Sequence, residues 1–205
     1  MKKYIFLIIL LPIICAIVAL VDGNYWMHVG VPVTSLLSVG IASQKDHKPW
    51  HWIIMISFVF CIAGDWMLGH QKGHPERFVY GIFLFLIAHI GYLVFCLKKG
   101  RINRVVLAIL LLIYPPFFIF FLFPAIGVNT LLLATFLYLV FSCLTLSASA
   151  GLKMDALSKL FFILGVISFV LSDTLIAFNV FLNESRLYFL MMPGYYLSHI
   201  FIALA

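Results

Sequence analysis

The sequence predicts an all-α membrane protein: a bundle of eight transmembrane helices with both termini in the cytoplasm. Three observations predict it. The 205 residues are 65% hydrophobic and only 10% charged, where soluble domains carry about 25% charged residues. The apolar residues gather into eight runs, each close to the ~20 residues that cross a bilayer. The basic residues favour alternate connections between those runs.

The spans are read as 3–21, 25–43, 51–69, 78–97, 103–123, 128–149, 157–179 and 186–204. The first, "MKKYIFLIILLPIICAIVALVDG", has an apolar run longer than the ~7–15 residues of a signal core, and no small-x-small site follows it. It reads as a retained helix. Ile14 before Cys15 is too large for a lipoprotein signal. The second span holds Gly30, Pro32 and serines such as Ser35 and Ser38, which membrane helices tolerate where neighbours satisfy the backbone. The third ends near Asp65. The fourth carries Phe78, Gly81, Phe85, His89 and Tyr92 at helical spacing, one stripe on one face. The fifth contains Pro115 and Pro116 and should kink there. The seventh carries Asp173 and, near its outer end, Asn179, which reads as a cap or a pocket group. The eighth supplies Tyr195, Tyr196 and His199. Loops are short, so consecutive helices should be neighbours. The whole chain, 1–205, is then one polytopic domain with no room for a soluble one.

Charge gives the orientation. With the N-terminus inside, the inner segments hold Lys2, Lys3, Lys45, Lys48, Lys98, Lys99, Arg101, Arg104, Lys153 and Lys159. The outer ones hold Lys72, Arg77 and Arg186. That is ten against three of the 13 Lys and Arg residues. Dropping one helix would spoil the alternation. The net charge of +6 is thus a topology signal, and no nucleic-acid partner is expected. Cys15, Cys61, Cys96 and Cys143 all lie in apolar runs and read as small buried hydrophobes. Short helices and loops point to a bacterial inner membrane.

Only two acidic residues, Asp65 and Asp173, lie inside spans. An intramembrane carboxylate costs at least about 2.5 kcal/mol to insert, so it faces the bundle interior and is a functional candidate. The bland reading is a hydrogen-bonded link between helices. Both lie about 20–24 Å from the cytoplasmic ends of their helices, so they can meet. Cys61 and Leu68 share the face of Asp65, and Phe169 and Ala177 that of Asp173. A lone mid-span His is more often a packing residue. His89 and His199, on helices that also carry Tyr92, Tyr195 and Tyr196, point instead to a shared polar pocket. "FVFCIAGDWML" and "GVISFVLSDTLI" are weakly alike, too little to establish a repeat.

Metal spacing is absent. His70 and His74 sit in a Gly/Pro-containing loop, and His47 and His51 lie on the other side of the membrane. Asp65, Asp173, His89 and His199 could together supply ligands, but no motif supports it, so no metal and no other cofactor is expected. Two intramembrane aspartates also suit an aspartyl protease. "IAGD" has Ile62 where that pattern needs Gly, and a Pro-Ala-Leu segment is missing.

The stretch "GDWMLGHQKGHPERFVYGIFLFLIAHIGY", residues 64–92, resembles the signature of the YhhN-like lysoplasmalogenase family. "LSDTLIAFN" (171–179) and "YYLSHIFIA" (195–203) resemble its second Asp motif and its last helix. Order and spacing fit nearly the whole chain, and the family is likewise eight-helix. One departure stands out: "GVPVTSLL" keeps Pro32 and Thr34 but has Val31 where the family often has Lys. The resemblance implies hydrolysis of the vinyl-ether bond of a lysoplasmalogen, a lysophospholipid drawn from the membrane lipid. Fatty aldehyde and glycerophospho-ethanolamine or -choline would be the products. Such a reaction needs one protonated acid and one carboxylate. Two close carboxyls cannot both ionise cheaply, and glycosidases divide the labour in the same way. Asp65 and Asp173 take these roles as a coupled pair, with either one the acid. His89, Tyr92, Tyr195, Tyr196, His199 and Asn179 orient them or the substrate. Lys72 and Arg77 are candidates for the phosphate, against a plain reading as interfacial anchors. Two other classes stay open: a small-solute or proton-coupled transporter using Asp65, Asp173 and His89 as a relay, and a non-catalytic lipid-binding or assembly protein. The oligomeric state, headgroup and chain length are not legible.

Overall fold

Apolar runs without water to hydrogen-bond their backbone must satisfy it internally, and here they do so as helices. A computed structural model describes the backbone of residues 2–22, 25–46 and 50–205 and the side chains of 10–21, 29–41 and 50–205. His47, and the side chains of Lys2, Lys3, Asp22, Lys45, Asp46 and Lys48, lie outside the described residues. The helices are α1 (Lys2–Asp22), α2 (Tyr25–Asp46), α3 (His51–Gly69), α4 (Pro75–Lys99), α5 (Arg104–Ala125), α6 (Asn129–Ala150), α7 (Ala156–Leu182) and α8 (Met191–Leu204). A 3₁₀ turn, Tyr188–Leu190, precedes α8. Among the described residues there is no strand, only an isolated bridge between Gly100 and Leu152.

Five helices, α3 to α7, are long and apolar enough to cross a membrane among the described residues. Shorter apolar stretches are Leu10–Val21, Val29–Ile41 and Tyr188–Leu204. The eighth span expected at 186–204 is therefore shorter as an α-helix, because residues 188–190 wind as 3₁₀. The seventh runs three residues beyond 179, to Leu182, and stops where Asn183 turns left-handed (φ 53°).

Helix ends follow local chemistry. Pro75 sits in the first turn of α4, Glu76 follows it, and Lys98 and Lys99 occupy the last turn, all favourable to the helix dipole. Asn103 accepts hydrogen bonds from the Val105 and Val106 amides at 3.1 and 3.2 Å. Asp155 accepts from the Ser158 amide at 2.9 Å, which holds this exposed carboxyl below its usual range; both are N-caps. In α5 the Pro115–Pro116 pair is followed by a π-helical turn, Phe118–Leu122. The two prolines remove successive amide donors, and the Phe123 amide reaches back five residues to the Phe118 carbonyl.

Helices pack as α1 on α2, α2 on α3 and α8, α3 on α4, α6 on α7, and α7 on α8. One expected adjacency fails: α4 packs mainly on α3 and α6, while α5 lies outside α6. The cause is a clasp between two connections. Arg101 N donates to Gly151 O, Asn103 N to Ser147 O, and Lys153 N to Lys99 O. A Cβ on Gly151 would stand 1.7 Å from the Arg101 carbonyl oxygen, so only glycine lets the backbones cross. The clasp steers the chain past α6 before α5 begins. The outward face of α5 is bare, with Leu112 77% and Phe120 72% exposed. The main core lies among α1–α4 and α6–α8, and a second, small cluster fastens the π turn of α5 to α6 and α7. Val31 is fully buried in the main core.

Candidate active site

Asp65 sits one turn before the end of α3 and is 3% exposed. The Tyr195 hydroxyl of α8 donates to its Oδ2 at 2.6 Å. Phe85 of α4 closes over the neighbouring backbone, edge-on to the Tyr195 ring at 6.2 Å. Asp173 of α7 has a matching partner on another helix: the Tyr138 hydroxyl of α6 donates to its Oδ2. His89 Nε2 lies 3.9 Å from the same oxygen, beyond hydrogen-bond range. The His89 ring is fully buried, edge-on to Phe169 at 4.8 Å and Tyr138 at 5.1 Å.

Both aspartates line one cavity of about 440 Å³, within the range of small-molecule sites. Its walls come from α3 to α8 and are mostly apolar, with Leu68, Ile82, Phe85, Phe117, Leu122 and Leu139 among them. Polar side chains line it as well, among them Tyr114, Thr135, Ser142 and Thr174 besides the two tyrosines that bond the carboxyls. The Tyr114 and Thr174 hydroxyls are 3.2 Å apart and link α5 to α7. Ser172 donates to the Met191 carbonyl at 2.9 Å, pinning the start of α8.

Of the residues singled out in the sequence, Asp65, Asp173, Tyr195 and Asn179 line this cavity, as do Leu68, Phe78, Phe85 and Ala177 from the apolar faces. The others stand behind or beside it. Tyr92 is fully buried, its hydroxyl 3.8 Å from Cys61 Sγ. His199 is fully buried with its ring 4.4 Å from that of Tyr195, and its Nδ1 is 3.0 Å from Ser198 Oγ. Tyr196 packs in the core beside Tyr195. Lys72 is exposed. Arg77 donates to the His70 carbonyl at 2.8 Å, and His74 Nδ1 is 3.1 Å from Glu76. These bonds shape the 70–77 loop, whose Gln71 reaches the cavity. Val31 is not among the lining residues. Among the described residues, no three His, Cys, Asp or Glu side chains converge as metal ligands.

Sequence reasoning passed over Tyr138, and a signal was there. Thr135, Tyr138, Ser142 and Thr145 are spaced three, four and three apart, one polar stripe in an apolar run. Three of the four line the cavity. Thr145 instead donates to the His89 carbonyl at 3.1 Å, tying α6 to α4.

No curated protein and no solved structure matches the chain. The sequence profile of the YhhN family matches residues 5–205. The motifs of the third, fourth, seventh and eighth helices thus lie within a match over essentially the whole chain, and the chain belongs to the YhhN family.

Proposed function

We propose that the protein is a membrane-embedded hydrolase that cleaves the vinyl-ether bond of lysoplasmalogens. The observation that carries this reading is one largely apolar cavity bearing two carboxyls from different helices, each hydrogen-bonded by a tyrosine. Family membership supports it. In the reaction, one protonated aspartic acid gives its proton to the vinyl carbon distal to the ether oxygen. The proximal carbon becomes an oxocarbenium ion, stabilised by the other, ionised aspartate. Water adds to that carbon and loses a proton to a carboxylate. The hemiacetal collapses to a fatty aldehyde and the glycerol hydroxyl of a glycerophospho-ethanolamine or -choline. Tyr138 and Tyr195 fix the two carboxyls, and His89 and His199 brace those two tyrosines through ring packing. Lys72, next to the cavity-lining Gln71, serves the phosphate, while Arg77 holds the loop.

The same reading places all eight helices across a bacterial inner membrane, with both termini inside. The clasp supports one part of it, the shared side of two connections, because it brings Lys99 and Arg101 to the segment that carries Lys153.

The test is aldehyde release from a defined lysoplasmalogen by purified protein in detergent, with an ester-linked lysolipid as control. Aldehyde forms from the vinyl ether only. A positioned acid or base contributes about 10²–10⁴-fold, so Asp65→Asn and Asp173→Asn each lose turnover by that order while staying folded. Near wild-type turnover in either variant would overturn the two-carboxyl mechanism. Proton or solute flux in liposomes without aldehyde would favour a transporter using Asp65, Asp173 and His89.

A further inference from the structure

The cavity is not uniform along its length. Near Asp173 its wall is polar, closed by the Tyr114–Thr174 contact between α5 and α7. One turn further along both helices it becomes apolar. Phe117 and Leu122 of α5, Leu139 of α6, and Ala177 and Phe181 of α7 line it there. These residues pack with the second hydrophobic cluster, apart from the main core. The strip runs from Thr174 to Phe181, about 10 Å of helix.

The wall on that side is one helix thick. Beyond it, Phe120 and Phe121 present bare apolar faces, 72% and 54% exposed. It is also where the α5 backbone departs from regular α geometry, in the π turn Phe118–Leu122 after two prolines. Interrupted helices of this kind recur at functional sites. Away from α5, Gln71 of the 70–77 loop also lines the cavity. Asn179 lines it too, but from α7, between Ala177 and Phe181, and Phe181 meets Phe78 of α4 edge-on at 6.2 Å. The end against α5 is therefore apolar, while the 70–77 loop brings one polar group, Gln71, to the cavity.

We propose that the apolar end, lined by Phe117, Leu122, Leu139, Ala177 and Phe181, is a subsite for a single alkyl chain entering from the bilayer beside α5. It rests on the hydrolase reading only for which atoms of the lipid meet the aspartates. The cavity's volume suits one chain rather than two, and the polar floor at Tyr114 and Thr174 stops the chain where chemistry begins. The headgroup then points away from α5, to the side where Gln71 lines the cavity.

The experiment uses full-length protein in nanodiscs and a single-chain ether lysolipid with a diazirine on its tail. This probe has no vinyl ether, so it reports binding whether or not the protein is a hydrolase. Photolabelling followed by peptide mass spectrometry should mark residues 117–122 and 177–181, and unlabelled saturated ether lysolipid should compete. Competition should strengthen about fourfold per added methylene until the strip is filled, then level off. Ala177→Trp should shift the best competitor to shorter chains; if that variant does not fold, Ala177→Leu should do so to a smaller extent. Labels confined to other helices, no labelling above a detergent control, or chain-length dependence unchanged in a folded Ala177 variant would each overturn the subsite. Labelling of α5 and α7 without aldehyde release in the separate assay would keep the subsite and sink the reaction.

Discussion

At the scale of single residues, the candidate site is built around two tyrosine–aspartate hydrogen bonds. Asp65 was legible because a carboxylate in an apolar run is costly and needs a reason. Its partner was legible only as a candidate: Tyr195 lies 130 positions away, and no local pattern joins them. Tyr138 was readable as part of a polar stripe, yet the stripe does not say which helix it faces. A hydrogen bond to a charged group is worth about 1.5–3 kcal/mol, or roughly ten- to a hundredfold. Tyr138→Phe should therefore lower kcat by about that factor with little change in KM, because the hydroxyl holds the carboxyl rather than the lipid tail. Steady-state kinetics on the vinyl-ether substrate decides it. Unchanged kcat with raised KM would make Tyr138 a substrate contact instead.

At the scale of elements, small residues set how closely helices approach. A Cβ on Gly165 would lie 2.6 Å from Ile202 Cγ1 and 3.0 Å from the Ile202 amide nitrogen and the Ser198 carbonyl oxygen. Helix α8 thus rests on the bare backbone of α7. Gly165→Val should push the two apart and cost about 1–3 kcal/mol or more, the usual price of overpacking. Gly127→Ala, with nothing within 4 Å of its Cβ, should leave stability nearly unchanged. Thermal unfolding in detergent compares them, and equal midpoints would refute the close approach. The ends of α3, α6 and α7 came close to the hydropathy reading. The short α8 and the π turn did not, because both depend on backbone hydrogen-bond choices that composition does not record. The double proline announced a disturbance in α5 but not its form.

At the scale of the whole molecule, the charge asymmetry and the fold bear on one property, orientation. In a variant without its four native cysteines, single cysteines at Lys72 and Arg186 should react with an impermeant maleimide on intact cells. A cysteine at Lys153 should react only after lysis. The reverse pattern would invert the proposed orientation, and labelling of all three sites would break the helix count. The expectation that α4 and α5 are neighbours failed at this scale. The bonds between residues 99–103 and 147–153 are long-range, and they place α6 where α5 was expected.

The sequence by itself determined that the chain is helical and apolar, which two carboxylates stand inside it, and, through motif order, its family. Those properties are local or additive: burying apolar side chains and satisfying backbone groups require only residue type and spacing. Only the tertiary structure decided that Asp65 and Asp173 line one cavity, that Tyr138 and Tyr195 hold them, and that His89, Tyr92 and His199 stand behind. It also decided that Val31 lies in the core rather than in the cavity. Those facts depend on which helix faces meet, and that choice is made by close packing between segments far apart in the chain.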